Sequence, residues 1–295
     1  MNNMKTPTVD LLGSRVAITC LEGLRECIHQ LAAAQTPSYV CFATAHMIVA
    51  ATRDASIRDA YRGANVISPD GMPVAWLLHL LGARNSHCVS GPRAMPLLLE
   101  MASENDLPVG FYGGRPDTLV RISQRITREY PRLHVAYTCS PPFRPLSFEE
   151  QERDICDINQ SKVRILFVGL GSPRQECWMH RFSPRLSCVC LGVGGAFEFF
   201  SGEKHLPPFW VQSLGLTWLI RLLQEPRRLI ARNLYSPVYV CMALRWVAMN
   251  TQQRLEWEDA IAKRLAARFA AGLGGIPHGI ELSGARNGGI GRIRT

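Results

Sequence analysis

The chain has 295 residues, with 47% hydrophobic and 19% charged. That composition excludes a disordered or collagen-like chain, and the length is ample for a core without disulfide or metal staples. The formal charge of +9 is uneven: residues 1–202 hold 20 Lys+Arg against 18 Asp+Glu, whereas residues 203–295 hold 13 against 6. Such asymmetry points to an anionic partner or to a soluble basic tail.

No uncharged apolar run reaches the roughly 18–20 residues that a spanning helix needs. The start, MNNMKTPTVDLLGSR, lacks the basic-then-apolar layout of a signal peptide, so the chain is expected in the cytoplasm. The ten cysteines form no CxxC pair, and zinc-like spacing is missing. Cys188 and Cys190 sit in an apolar run where alternation puts both on one face of a strand, the ordinary setting of a buried thiol.

In chain order, apolar runs come at Arg15–Thr19, Tyr39–Thr44, Val109–Tyr112, His134–Tyr137, Ile165–Val168 and Cys188–Val193, with a shorter one at Asn65–Ser68. They are rich in Val, Ile, Phe and Tyr and mostly end in Gly, Ser or Pro. Segments with helical spacing lie between them: Ala94, Leu97, Leu98, Met101 and Ala102, then Leu119, Ile122, Ile126 and Tyr130 behind Pro116. This alternation predicts βαβ units, hence a Rossmann-like, mostly parallel sheet with helices on both faces. Ligands in such folds bind beyond the carboxyl ends of the strands.

Five loops at those ends are candidates. Thr44-Ala45-His46 closes a strand, and Thr44 either donates to a ligand or caps the next helix. In Ser68-Pro69-Asp70-Gly71, Asp70 is either a general base or the N-cap of a helix over Met72–Leu81. Gly113-Gly114-Arg115-Pro116 is a third strand-to-helix turn. The clearest is Gly169-Leu170-Gly171-Ser172-Pro173-Arg174-Gln175-Glu176. There Ser172 suits an N-cap and Pro173 the first helical position, so free N–H groups would face an anion such as a sugar-nucleotide diphosphate. Ser172-x-x-Gln175 also reads as a capping box that satisfies backbone donors and nothing more. Gly192-Val193-Gly194-Gly195-Ala196-Phe197 is the fifth loop. GxSxG, HExxH, Walker A and DxD patterns are absent.

Beyond residue 202 the character changes. Leu206–Leu223 is helix-like and aromatic, with Phe209, Trp210 and Trp218, and Arg221, Arg227, Arg228 and Arg232 crowd its end. Val238–Met249 is apolar apart from Arg245 and too short to span a bilayer; it suits a helical arm packed on the domain or lying on a membrane surface. The expected organisation is an α/β core over 1–202, a basic helical appendage over 203–271 and a disordered Gly-rich tail over 272–295. The basic tail has no aromatic-basic stacking motif, so nucleic acid is not an expected partner.

The loops together, with WLIRLLQEPRR later in the chain, resemble the WecG/TagA/CpsF family of bacterial glycosyltransferases from about Tyr39 to Val240. The resemblance implies inverting, metal-independent transfer of a hexose or N-acetylhexosamine from a UDP-sugar to a sugar on an undecaprenyl-diphosphate carrier. It implies no cofactor, peripheral attachment to the inner face of the cytoplasmic membrane, and room for a homo-oligomer. It makes Asp70 the catalytic base and Thr44, His46, Gly113, Gly114, Arg115, Gly169, Gly171, Gln175, Gly194 and Gly195 the donor site. It assigns the acceptor diphosphate to Arg221, Arg227, Arg228 and Arg232, whose planar forks suit such a group. His46, Cys88, Pro92-Arg93, Glu198 and His205-Leu206-Pro207 depart from the commoner family residues. They leave both N-acetylmannosamine and glucose donors open, and a sugar-nucleotide-binding protein without catalysis is the alternative.

Overall fold

A computed structural model describes residues 6–208, 211, 220 and 235–270, with side chains excepted at 235–237 and 268–270. The chain opens with β1 (Thr8–Leu11), β2 (Ser14–Ala17), α1 (Leu21–Ala34), β3 (Ser38–Ala43), α2 (Ala45–Ala51), α3 (Ala55–Gly63), β4 (Val66–Pro69), α4 (Met72–Leu80) and α5 (Gly91–Glu104). It continues through β5 (Val109–Gly113), α6 (Pro116–Glu129), β6 (Val135–Cys139), α7 (Phe148–Gln160), β7 (Ile165–Gly169), α8 (Arg174–Phe182), β8 (Val189–Gly192) and α9 (Ala196–Phe200). We number the two later helices α10 (Tyr235–Ala248) and α11 (Thr251–Ala270).

Six strands form one sheet in the order β4-β3-β8-β7-β5-β6, and every pair is parallel. Alternation along the strands splits the core into two layers. Cys41, Leu166, Val168 and Cys190 face α2, α3, α4, α7 and α8; Val40, Phe42, Phe167 and Leu191 face α1, α5, α6 and α9. Cys188 and Cys190 share the first layer, as their spacing predicts. Both faces of the sheet are thus covered, which is why the central strands read as continuous apolar runs.

Helix α6 shows how the sequence makes these elements. Leu119, Ile122 and Ile126 are buried at helical spacing, Pro116 starts the helix, Asp117 lies in its first turn and Arg128 in its last. The Arg15–Thr19 run behaves differently. It does not join the parallel sheet but forms β2 of an antiparallel hairpin with β1. The cause is the Leu12-Gly13 turn: both residues have positive φ, the primed geometry that suits a two-residue hairpin loop. The Asp10 carboxylate accepts the Gly13 N–H at 2.8 Å.

All but the last residue of the Val238–Met249 segment lies in α10, which packs on the domain. Tyr239, Ala243 and Trp246 are buried, Trp246 Nε1 donates to Asp10 O at 3.1 Å, and the Tyr239 hydroxyl donates to Pro73 O at 3.3 Å. Trp257 of α11 meets the Trp246 ring edge-on. Among the described residues no helix is long and apolar enough to cross a membrane.

Candidate active site

All five candidate loops leave the carboxyl edge of the sheet. The topology singles out one place there. From β5 the chain runs outward through α6 to β6; from β7 it runs inward through α8 to β8, and α6 and α8 lie on opposite faces. The loops therefore diverge between β5 and β7 and open a crevice. A cavity of about 900 Å³ sits there, and Gly113, Gly114, Arg115, Gly169, Gly171, Gly194 and Gly195 all line it.

Two glycines let the chain pack tightly at the base of the crevice, one against backbone and one against a ring. Gly113 has φ +107°, and a Cβ on it would lie 2.6 Å from the Gly169 carbonyl carbon. A Cβ on Gly169 would lie 2.5 Å from two ring carbons of Phe197. The rest of the wall was not read from the sequence. The turn-rich stretch after β6, Pro141-Pro142-Phe143-Arg144-Pro145-Leu146, runs along the cavity. It is anchored by a two-pronged Arg144–Glu150 pair, 2.7 Å at each prong. Phe143 is 90% exposed, and the Arg174 guanidinium lies over its ring at 4.5 Å. Tyr112 stacks on Trp178 and donates to Asp154 Oδ2 at 2.6 Å. Burial, then the Asp154 hydrogen bond, raises the Tyr112 phenol, so it remains neutral. Arg115 pairs with Glu203, which also accepts from Thr118 Oγ1 at 2.6 Å. Burial works against the Glu203 charge, but those hydrogen bonds outweigh it and its pKa lies below the ordinary value.

The remaining candidate residues lie farther along the same sheet edge, behind the crevice wall, or outside the described residues. Thr44 caps α2, its hydroxyl accepting the Met47 N–H at 3.4 Å, and His46 is half-buried in the first turn. Asp70 is not the N-cap of α4: Gly71 takes that position, with φ +95°, and no side chain caps the helix. Asp70 is half-buried, and its N–H donates to Ala43 O at 3.0 Å, tying the ends of β4 and β3. Neither Asp70, Thr44 nor His46 lines the cavity. Trp210, Trp218, Arg221, Arg227, Arg228, Arg232 and the Gly272–Thr295 tail lie outside the described residues.

The capping box at Ser172 does not form. Pro173 occupies the N-cap of α8, and no side chain caps that helix. Ser172 instead donates to Glu176 Oε1 at 2.7 Å. Gln175 is 3% exposed and braces α8 to β8: its Nε2 donates to Gly192 O at 2.6 Å and to Glu176 Oε1 at 3.0 Å. Its Oε1 is buried without a hydrogen-bond partner among the described residues, close behind Gly194. The capping box is at Ser147, where Glu150 reaches back to the Ser147 N–H. Among the described residues no three His, Cys, Asp or Glu side chains gather as a metal site.

The molecule is a doubly wound α/β protein with a glycine-ringed crevice at its switch point, the place where sheets of that class hold ligands. The particular kind follows from comparison. The chain matches the glycosyl transferase WecG/TagA/CpsF family over residues 9–254 and belongs to it. It is 28% identical over 197 residues to the N-acetylglucosaminyldiphosphoundecaprenol N-acetyl-beta-D-mannosaminyltransferase of Bacillus subtilis strain 168, covering 66% of this chain and 75% of that one. It is 30% identical over 185 residues to the enzyme of the same name from Bacillus spizizenii, covering 62% and 69%.

Proposed function

We propose that the chain is an inverting hexosyltransferase that moves a hexose or N-acetylhexosamine from a UDP-sugar to a sugar on an undecaprenyl-diphosphate carrier. The observation that carries this reading is the shared edge: the glycine crevice and the Asp70 turn both stand at the carboxyl ends of one parallel sheet. The names of the relatives supply the acceptor class and one candidate sugar, N-acetylmannosamine.

In this mechanism the nucleotide lies over the β5–β7 crevice. Gly113–Arg115 and Gly169–Gly171 let the diphosphate approach backbone, and Phe143 on the rim offers a face for the base. The donor then extends along the edge toward β3 and β4. Those strands stand two and three places from β7, about 14 Å at the usual spacing for the farther one. Asp70 takes the proton from the acceptor hydroxyl. The freed oxygen attacks the anomeric carbon, the carbon–oxygen bond to UDP breaks, and one displacement inverts the centre. No step needs a metal or a cofactor. The basic segment with Arg221, Arg227, Arg228 and Arg232 would meet the acceptor diphosphate and the anionic inner face of the membrane.

The test is UDP release from UDP-N-acetylmannosamine and from UDP-glucose, with N-acetylglucosaminyl-diphospho-undecaprenol as acceptor. Acceptor-dependent release with one donor is expected. Tight UDP binding with no release from a broad panel of UDP-sugars and lipid-linked acceptors would favour a binding protein instead.

A further inference from the structure

The residues that hold the Asp70 turn in place come from another part of the chain, a strap over 86–91 between α4 and α5. Five of its atoms make hydrogen bonds, and three of these bracket the turn. His79 of α4 bonds the Ser86 carbonyl through Nε2 at 2.6 Å. The His87 N–H donates to Thr19 O at 2.8 Å, and the Val89 N–H donates to Pro69 O at 2.8 Å. The buried Ser68 hydroxyl donates back to Val89 O at 3.2 Å. The fifth contact falls on the turn itself: the Gly71 N–H donates to the Cys88 sulfur at 3.2 Å. This N–H opens α4, where no side-chain cap exists and where φ of +95° holds the backbone outside the usual region. The strap also reaches the crevice. A Cβ on Gly91 would lie 2.9 Å from Val193 O, so the strap's end is pressed against the loop that carries Gly194 and Gly195.

We infer that Cys88 is a positioning residue for Asp70, its sulfur fixing the Gly71 N–H and thereby the direction of the carboxylate one residue earlier. The inference rests on the reading of Asp70 as the base. Cys88 is half-buried, and burial, then the charge of Asp70, pushes its thiol up to about 11. It is therefore a neutral acceptor near pH 7, placed to orient the carboxylate without competing for the acceptor's proton. Its part is geometric: it makes no bond to substrate.

Two readouts test this in the full-length protein. The first needs no substrate: hydrogen exchange of the Gly71 amide, followed with 15N-glycine. Cys88→Ala is expected to speed that exchange about fivefold, the worth of one modest hydrogen bond, whereas Cys88→Ser keeps an acceptor and stays close to the parent. The second is UDP release with the donor and acceptor above. Cys88→Ala should lower kcat about tenfold or more, the scale of a displaced catalytic group, with the donor KM within about twofold. Cys88→Ser should recover most of the loss. In an Asp70→Asn background Cys88→Ala should change nothing further, because its effect passes through that carboxylate.

Unchanged Gly71 exchange and unchanged kcat in Cys88→Ala would overturn the inference, as would an equal further loss in the Asp70→Asn background. Should Cys88→Ala fail to fold, Cys88→Ser decides: turnover near the parent supports the role, and a tenfold loss with normal melting contradicts it. Full turnover by Asp70→Asn would instead remove the base assignment, while Gly71 exchange would still report whether the sulfur holds the turn.

Discussion

The two ends of the sheet's carboxyl edge are built by opposite means. At the β5–β7 crevice, backbone does the shaping: Gly113 and Gly169 allow two loops to touch, and exposed side chains such as Phe143 and Arg115 stand at the rim. At the β3–β4 end, a strap of hydrogen bonds from residues 86–91 holds one half-buried carboxylate turn. A surface that must accept a long, charged ligand is best open and made of backbone. A group that must meet one proton is best held by several fixed contacts. The difference predicts that damage to the first region shows in binding and fold, and damage to the second in rate.

The largest effect on fold should come from Gly113→Ala. The added methyl meets the Gly169 carbonyl carbon at 2.6 Å in a region of φ that L-residues avoid. A loss of about 3 kcal/mol is expected, read in a denaturant melt, with UDP affinity lost alongside. If the protein tolerates it within experimental error, the two loops are not in contact and the crevice is wider than described. Phe143→Ala comes next. Its side chain is 90% exposed, so melting should not change, while UDP binding by calorimetry should weaken by about 1–3 kcal/mol, the range for base stacking on an aromatic ring. Equal affinity for UDP would place the base elsewhere.

Gln175→Ala tests the boundary between the regions. It removes the brace to Gly192 O and should cost about 1–2 kcal/mol of stability while loosening the Gly194–Gly195 loop, so UDP affinity falls with it. Affinity lost with melting unchanged would make Gln175 a direct ligand and not a brace. The smallest effect concerns Glu203. Its folded pKa is lowered, so the stability it adds is present above its unfolded pKa and disappears as pH falls through the folded value. With Arg115 largely exposed the contribution is at most about 1 kcal/mol. The melting difference between the parent and Glu203→Gln should be greatest near pH 7 and shrink as pH falls below the ordinary glutamate range.

Much of this contrast was legible in the residues alone. Short β-branched runs followed by Gly or Pro placed the sheet, and period-2 alternation put Cys188 and Cys190 on one face. The five loops stand at one edge because parallel strands all end on the same side. What escaped was decided by geometry between distant segments. Arg15–Thr19 looks like any other strand, and only the positive φ at Leu12 and Gly13 turns it into a hairpin. Asp70 and Ser172 have the composition of N-caps, yet Gly71 and Pro173 occupy those positions. Gln175 reads as a capping partner, but its amide crosses to β8. The wall over Pro141–Leu146 had a signal, a proline-rich turn after a predicted strand, but it carries no glycine or acidic residue of the kind that marked most of the other loops.

The central claim is the division of labour along the edge, and Asp70→Asn tests it most directly when UDP affinity and turnover are measured on the same preparation. The account predicts unchanged melting, a UDP dissociation constant within about twofold of the parent, and a fall in turnover of at least about a hundredfold, the scale of a lost general base. A variant that keeps near-normal turnover, or one that loses UDP affinity in proportion to its activity, would contradict it.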